Sequence, residues 1–224
     1  RAEGQQRYMK SALGVTVNDV VMAMCAGAVR RYLAEHDSLP AEPLVAMIPV
    51  SIRTGEEEDP WTNRVSAIFA PIPTDVAYPA ERVASVGKEM AEGKHRFDLL
   101  PADLITDIAS LAPGRLALQA ARIATNPRVA EAAPTPANLV ISNVPGPREQ
   151  LRMGDAVVRH YVPVSTVIDG QGLNITVQSY RDVLDISLVS CRELVPDLDH
   201  LADLHMDEFA VLEKLAGTAT AADE

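Results

Sequence analysis

No stretch of this chain is long and apolar enough to span a bilayer, which takes about 20 apolar residues. Its start carries no charged, apolar, small-residue leader pattern either. The chain therefore reads as soluble and cytoplasmic. Basic residues are few: 20 Lys and Arg against 31 Asp and Glu leave a net charge of −11. A field of that sign repels nucleic acid and no basic cluster interrupts it, so no nucleic-acid partner is expected. Cysteine is scarcer still. Cys25 and Cys191 lie in apolar sequence, which points to buried free thiols in a reducing compartment. No C-x-x-C pair or His/Cys cluster suggests a metal. There is no G-x-S-x-G elbow and no phosphate-cradling glycine loop, so serine-hydrolase and nucleotide-binding chemistry lack their usual motifs.

Histidine offers no better lead. An acyl transfer to a hydroxyl needs a histidine base, usually in an H-x-x-x-D pattern that orients the ring. The residues four positions after His36, His95, His160, His200 and His205 are Pro40, Leu99, Val164, Leu204 and Phe209. None is Asp, and all five histidines read as surface or structural. No catalytic residue is assigned.

What the chain does contain is ordinary globular sequence, 47% hydrophobic and 23% charged over 224 residues. A chain of that size buries roughly 70% of its unfolded surface. One domain over residues 1–216, followed by a disordered tail at 217–224, fits better than two independent units. The first residue is Arg1 rather than Met, so something upstream is expected to be removed or not shown. The chain reads as one large domain or as one half of a larger enzyme. Val17, Val20, Val21, Met24, Ala28, Val29 and Tyr32 recur at helical spacing and predict a helix over 15–34 with one long apolar face. Thr16 and Asp19 suit its capping box. Strands are predicted at 44–50, 64–71, 138–144, 173–180 and around 184–188, with 157–168 mostly strand-like and Asp169-Gly170-Gln171-Gly172 as a hairpin turn. In 173–180, Ile175 and Val177 share one face and Asn174, Thr176, Gln178 and Tyr180 the other. Helices are predicted at 79–92, at 102–126 with a break at Pro113-Gly114, and from about Asp197 to Leu215. The layout is α+β: a mixed sheet covered by helices.

Three polar segments interrupt this apolar framework. Asn18-Asp19 opens the first helix, where capping is the structural explanation. Pro49-Val50-Ser51-Ile52-Arg53 ends a strand in a polar and cationic pair. Ser142-Asn143 sits inside an apolar strand before Pro145-Gly146-Pro147. Alternation there puts Asn143 with Leu139 and Ile141, and Ser142 with Val140 and Val144. A polar group buried without a partner costs about 1–3 kcal/mol, so both should be bonded.

Taken in order, VTVNDVVMA (Val15–Ala23), PLVAMIPVSIR (Pro43–Arg53), NLVISNVPGP (Asn138–Pro147) and DGQGLNITVQSY (Asp169–Tyr180) resemble the C-terminal half of the wax ester synthase/diacylglycerol acyltransferase family. The likeness runs from about Leu13 to Leu215. It implies a chloramphenicol-acetyltransferase-like fold of two related halves around a tunnel. It also implies transfer of a fatty acyl group from acyl-CoA, a substrate rather than a cofactor, to a diacylglycerol or a long-chain fatty alcohol. The family's base is the second histidine of H-H-x-x-x-D-G in the N-terminal half. No such motif stands in this sequence, so a partner half carrying it is expected. The resemblance gives this chain supporting, substrate-binding roles only: Asn18 and Asp19 from the Asn-Asp motif, and Ser142, Asn143 and Gly146 from the SNVPGP strand along the tunnel. The position of Arg53 after the strand suggests a coenzyme A phosphate. Trp61-Thr62-Asn63 departs from a common Gly-Asn pair, and Arg181-Asp182 from an Asn-Gly-like turn. Peripheral association with a membrane or lipid droplet follows from the substrate class. Two other readings stand beside this one: an acyltransferase of the same fold acting on acyl carrier protein, and a non-catalytic half that binds lipid or protein.

Overall fold

The computed structural model describes residues 12–51, 65–98, 137–167 and 170–222. Helix α1 (Val17–Glu35) begins as the sequence predicts. The Thr16 hydroxyl accepts the Asp19 N–H at 3.2 Å, and the Asp19 carboxylate accepts the Thr16 N–H at 2.9 Å. That reciprocal pair satisfies donors which the first turn of any helix leaves open. The expected single apolar stripe is corrected: every residue from Asp19 to Val29 is buried. The reason is location. α1 packs against the sheet, against α2 (Pro79–Asp98) and against α3 (Leu198–Ala222), so all of its faces find a partner. Small side chains at Ala23, Ala26, Gly27 and Ala28 permit the close approach. At Gly27 a Cβ would overlap the Glu208 carboxylate and come within 2.7 Å of Arg82 Nη1. Those two side chains form a buried ion pair at 3.4 Å between α2 and α3.

The strands are β1 (Leu44–Ser51), β2 (Val65–Ile72), β3 (Leu139–Val144), β4 (Arg152–Met153), β5 (Ala156–Val157), β6 (Leu173–Tyr180) and β7 (Val183–Ser190). The main sheet has the order β2-β1-β3-β6-β7, and β4 and β5 make a separate short hairpin. β1, β3 and β6 run parallel, and β2 and β7 flank them antiparallel. One face, with Ala46, Ile48, Ile68, Ala70, Ile141, Ile175 and Val177, is buried in the core that includes α1.

Residues 158–167 were expected to be strand but join no ladder. Pro163 lacks the N–H that a ladder needs, and side chains of the sheet's other face hold this strap instead. The Tyr180 hydroxyl accepts the Leu151 N–H and donates to the Val158 carbonyl, both at 2.9 Å. Asp185 accepts the Tyr161 N–H and pairs with His160 Nδ1, both at 2.8 Å. Asn174 Nδ2 donates to the Thr166 carbonyl at 2.9 Å and to Ser165 Oγ at 3.1 Å. This explains why the polar Asn174, Thr176 and Gln178 are buried.

Other boundaries shift. Gly170-Gln171-Gly172 is not a hairpin turn, because no strand precedes it; it leads into β6 with Gly170 at φ +86°. Arg181-Asp182 does join β6 to β7, with Arg181 in the left-handed region at φ +52°. Its N–H donates to the Pro147 carbonyl at 3.0 Å, a tertiary bond that holds the unfavourable conformation. α2 continues to Asp98, and α3 continues to Ala222 through residues assigned to a tail. Cys25 is buried, and burial raises its thiol to about 12. Cys191 is only half-buried, with its thiol donating to Glu193 Oε2 at 2.8 Å. None of the described helices is long and apolar enough to cross a membrane. The predicted helix at 102–126, Arg53 and Trp61-Thr62-Asn63 lie outside the described residues.

Candidate functional site

In sheets of this kind, ligands sit beyond the carboxyl ends of parallel strands. Two of the polar segments meet at that edge. β3 carries Asn143 on its helix-covered side, and α1 begins beside it: Asn143 Nδ2 donates to Asn18 Oδ1 at 3.4 Å. One amide of each pair member is thereby oriented. Among the described residues, the second Asn143 N–H and the Asn18 amide group have no further partner and are donors at the helix N-terminus, where the macrodipole adds partial positive charge.

Pro49 shapes the same edge. The N–H and C=O of Val45 both bond to Asn138, on the β3 side of β1. By strand alternation Met47, Pro49 and Ser51 face β3 as well. Pro49 has no N–H to give, and the β1–β3 ladder extends only through Ala46↔Leu139 and Met47↔Val140. β1 goes on pairing with β2 as far as Ser51, and β3 with β6 as far as Val144. The two inner strands are therefore no longer paired with each other beyond Met47 and Val140, next to Asn143. The sequence marked this segment for its cation; the ladder break was missed, although a proline inside a predicted inner strand is a readable signal.

The other candidates separate by role. Asp19 is engaged in the cap. Ser142 pairs with Thr176 of β6 and points to the opposite side of the sheet from Asn143, so the two neighbours do not converge on one point. Gly146 lies where the chain crosses the end of β6: its N–H donates to Ser179 Oγ at 3.1 Å, and a Cβ would overlap the Ser179 carbonyl oxygen. Close backbone approach accounts for glycine there. Arg53 follows β1 by two residues and lies outside the described ones.

Four of the five histidines have described side chains, and these lie elsewhere. His36 caps the far end of α1, His160 anchors the strap, and His200 and His205 ride on α3. Burial lowers the His205 pKa. A hydrogen bond to Glu35 raises that of His200.

The chain as a whole has counterparts among known proteins. Residues 61–213 match the family model described as the WS/DGAT C-terminal domain. The chain belongs to that family. It is 41% identical to a putative diacylglycerol O-acyltransferase of Mycobacterium tuberculosis over 211 residues, 94% of this chain and 46% of that protein. It is 39% identical to the O-acyltransferase WSD of Acinetobacter baylyi over 90% of this chain and 42% of that protein. The WS/DGAT C-terminal domain described here therefore spans a little under half the length of those curated relatives. The solved wax ester synthase/diacylglycerol acyltransferase from Marinobacter aquaeolei VT8 superposes with a TM-score of 0.77 at 34% identity, covering 97% of this chain and 48% of that one. An epimerization domain of tyrocidine synthetase B, 11% identical with a TM-score of 0.54, shares the fold alone. The mixed sheet covered by helices is the one expected of a chloramphenicol-acetyltransferase-like half.

Proposed function

We propose that this WS/DGAT C-terminal domain is half of an O-acyltransferase that moves a fatty acyl group from acyl-CoA to diacylglycerol or a long-chain alcohol. The observation that carries the proposal is the Asn18–Asn143 pair beside the point where β1 and β3 stop pairing with each other. The base is a histidine of H-H-x-x-x-D-G on an N-terminal half. It takes the proton of the acceptor hydroxyl as that oxygen attacks the thioester carbon. The carbonyl becomes a tetrahedral oxyanion, which collapses with expulsion of the coenzyme A thiolate. The free amide N–H groups of Asn143 and Asn18 are the donors this chain offers to the oxyanion, and one such donor accelerates reactions of this type about 10²–10³-fold. Ser142, on the other side of the sheet, lines the path of the acyl chain, and Gly146 and Asp19 keep the edge in shape. Arg53 meets a coenzyme A phosphate. Peripheral contact with a membrane or lipid droplet brings the lipid acceptor to the enzyme.

The test joins this chain to an N-terminal half carrying H-H-x-x-x-D-G and follows triacylglycerol formation from palmitoyl-CoA and dioleoylglycerol. Turnover is expected, with kcat falling about 10²-fold in Asn143→Ala and KM for acyl-CoA rising in Arg53→Ala. Absence of turnover in a folded complex, or an Asn143→Ala variant within threefold of wild type, removes the proposal.

A further inference from the structure

The hairpin of β4 and β5 and the strap after it form one continuous stretch, 151–167, that leaves the domain at the carboxyl edge of β3. Both residues of β4 and both of β5 are exposed. A Cβ at Gly154, in the turn between them at φ +60°, would meet nothing within 4 Å. The apolar side chains of the stretch are left in solvent: Met153 is 79% and Val164 86% exposed, and Val157, Tyr161 and Val162 are about half exposed. The backbone is nevertheless fixed from beneath. Gln150 Nε2 donates to the Val158 carbonyl at 2.6 Å and to the Tyr180 hydroxyl at 2.8 Å, and the Val158 N–H donates to the Leu151 carbonyl at 3.0 Å. Asp185 and Asn174 hold the strap farther along. Ordering irregular backbone costs conformational entropy at every residue. Here polar bonds offset that cost, and the segment still does not cover its own apolar side chains. An ordered apolar surface of this kind, rimmed by polar residues, marks an interaction site.

We infer that this stretch is the docking surface for the N-terminal half that carries the histidine base. The inference rests on the acyl-transfer reading and names the surface that joins the two halves. Length supplies the first argument for that occupant. The curated relatives are more than twice as long as the part this chain matches, so a unit of comparable size remains to be seated. Position supplies the second. Leu151 follows Asn143 by only eight residues, and a half that brings a base within hydrogen-bond reach of a substrate at Asn143 must lie against that edge. Composition supplies the third. Residues 148–166 contain Arg148, Arg152, Arg159, Met153 and Tyr161 and no Lys, which is the bias of protein–protein contacts. A bilayer is the poorer fit, because anionic headgroups repel a chain of net charge −11. A surface already held in one conformation loses little further entropy on binding, which favours association.

The test compares this chain alone with the same chain joined to an N-terminal half carrying H-H-x-x-x-D-G, by carbene footprinting and hydrogen exchange over 151–167. Labelling of Met153, Tyr161 and Val164 is expected to fall several-fold in the joined protein, and unchanged labelling overturns the inference. With the two halves supplied as separate chains, Met153→Asp and Val164→Asp should each raise the Kd about tenfold or more, while the urea midpoint of this chain alone stays at its wild-type value. Met206→Asp, at an exposed site on α3, is the control and should leave the Kd unchanged. A folded joined protein that shows the protection but no turnover keeps the docking surface and removes the acyl-transfer reading; turnover without protection does the reverse. If the Asp variants instead abolish self-association of this chain in sedimentation, or its binding to phosphatidylcholine/phosphatidylglycerol vesicles, with the half-to-half Kd unchanged, the surface serves a second copy or a membrane and the inference falls.

Discussion

Gly146→Ala is the substitution that best separates a structural from a ligand-contacting reading of the SNVPGP segment. A methyl group built there overlaps the Ser179 carbonyl oxygen and lies 3.1 Å from its carbon, with Gln178 Nε2 at 3.3 Å. The first two atoms are backbone of β6, which at Ser179 pairs with Leu184 of β7 and is held by β3 as far as the preceding Gln178. They cannot swing aside as a side-chain end would, so the strand or the 145–147 segment must move. Overpacking of this kind costs about 1–3 kcal/mol. Losing the Gly146 N–H bond to Ser179 Oγ adds about 1 kcal/mol. A total of about 2–4 kcal/mol is a large part of the 5–15 kcal/mol typical of a domain, and should lower Tm by roughly 4–16 °C in a chain of this size. Gly87→Ala supplies the control: it lies within α2 with nothing within 4 Å of the added methyl. There the same chemical change should stabilise by about 0.5–1 kcal/mol through helix propensity and a less free unfolded chain. Urea unfolding followed by circular dichroism gives both numbers. A Gly146→Ala cost below about 1 kcal/mol, with Gly87→Ala behaving normally, would refute the close-approach argument and return Gly146 to the substrate.

Three further outcomes are expected. Glu208→Gln leaves the buried Arg82 guanidinium without its ion pair, since only 2% of that residue is exposed; stability should fall by about 3–5 kcal/mol, and the double change Arg82→Met/Glu208→Leu should recover most of it in urea titrations. Burial holds the His205 pKa below 6.5 in the folded state, so the unfolded chain binds the extra proton first. That contribution is therefore full above about pH 6.5 and is lost as pH falls toward the folded value; His205→Leu should flatten the decline in urea midpoint between pH 7.5 and 5.5. Asp185→Ala removes the acceptor of the Tyr161 N–H and the partner of His160; limited proteolysis between 158 and 167 should speed up several-fold while the circular dichroism of the sheet is unchanged, and equal cleavage rates would mean that the strap is held elsewhere.

The chain by itself determined the elements whose signals are local. Thr16 and Asp19 announce a helix start because a capping box needs only residues three apart. Period-two alternation located β3, β6 and β7 and put Asn143 on the opposite face from Ser142, because adjacent strand side chains diverge by geometry alone. Four separated blocks in order carried the family.

Tertiary structure decided whatever depends on what lies across from a residue. Helix α1 looked half-exposed but is buried all round, since no sequence window records that α2, α3 and the sheet surround it. Asn174, Thr176 and Gln178 share one polar face, and that face is buried beneath a strap that sequence read as a strand. Alternation reports which residues share a face, while only the fold says what covers that face. Asn18 and Asn143 are 125 positions apart and meet at 3.4 Å, and the effect of Pro49 becomes visible only when β3 lies where its missing N–H would have pointed. Contacts of that range are fixed by the packing of whole elements.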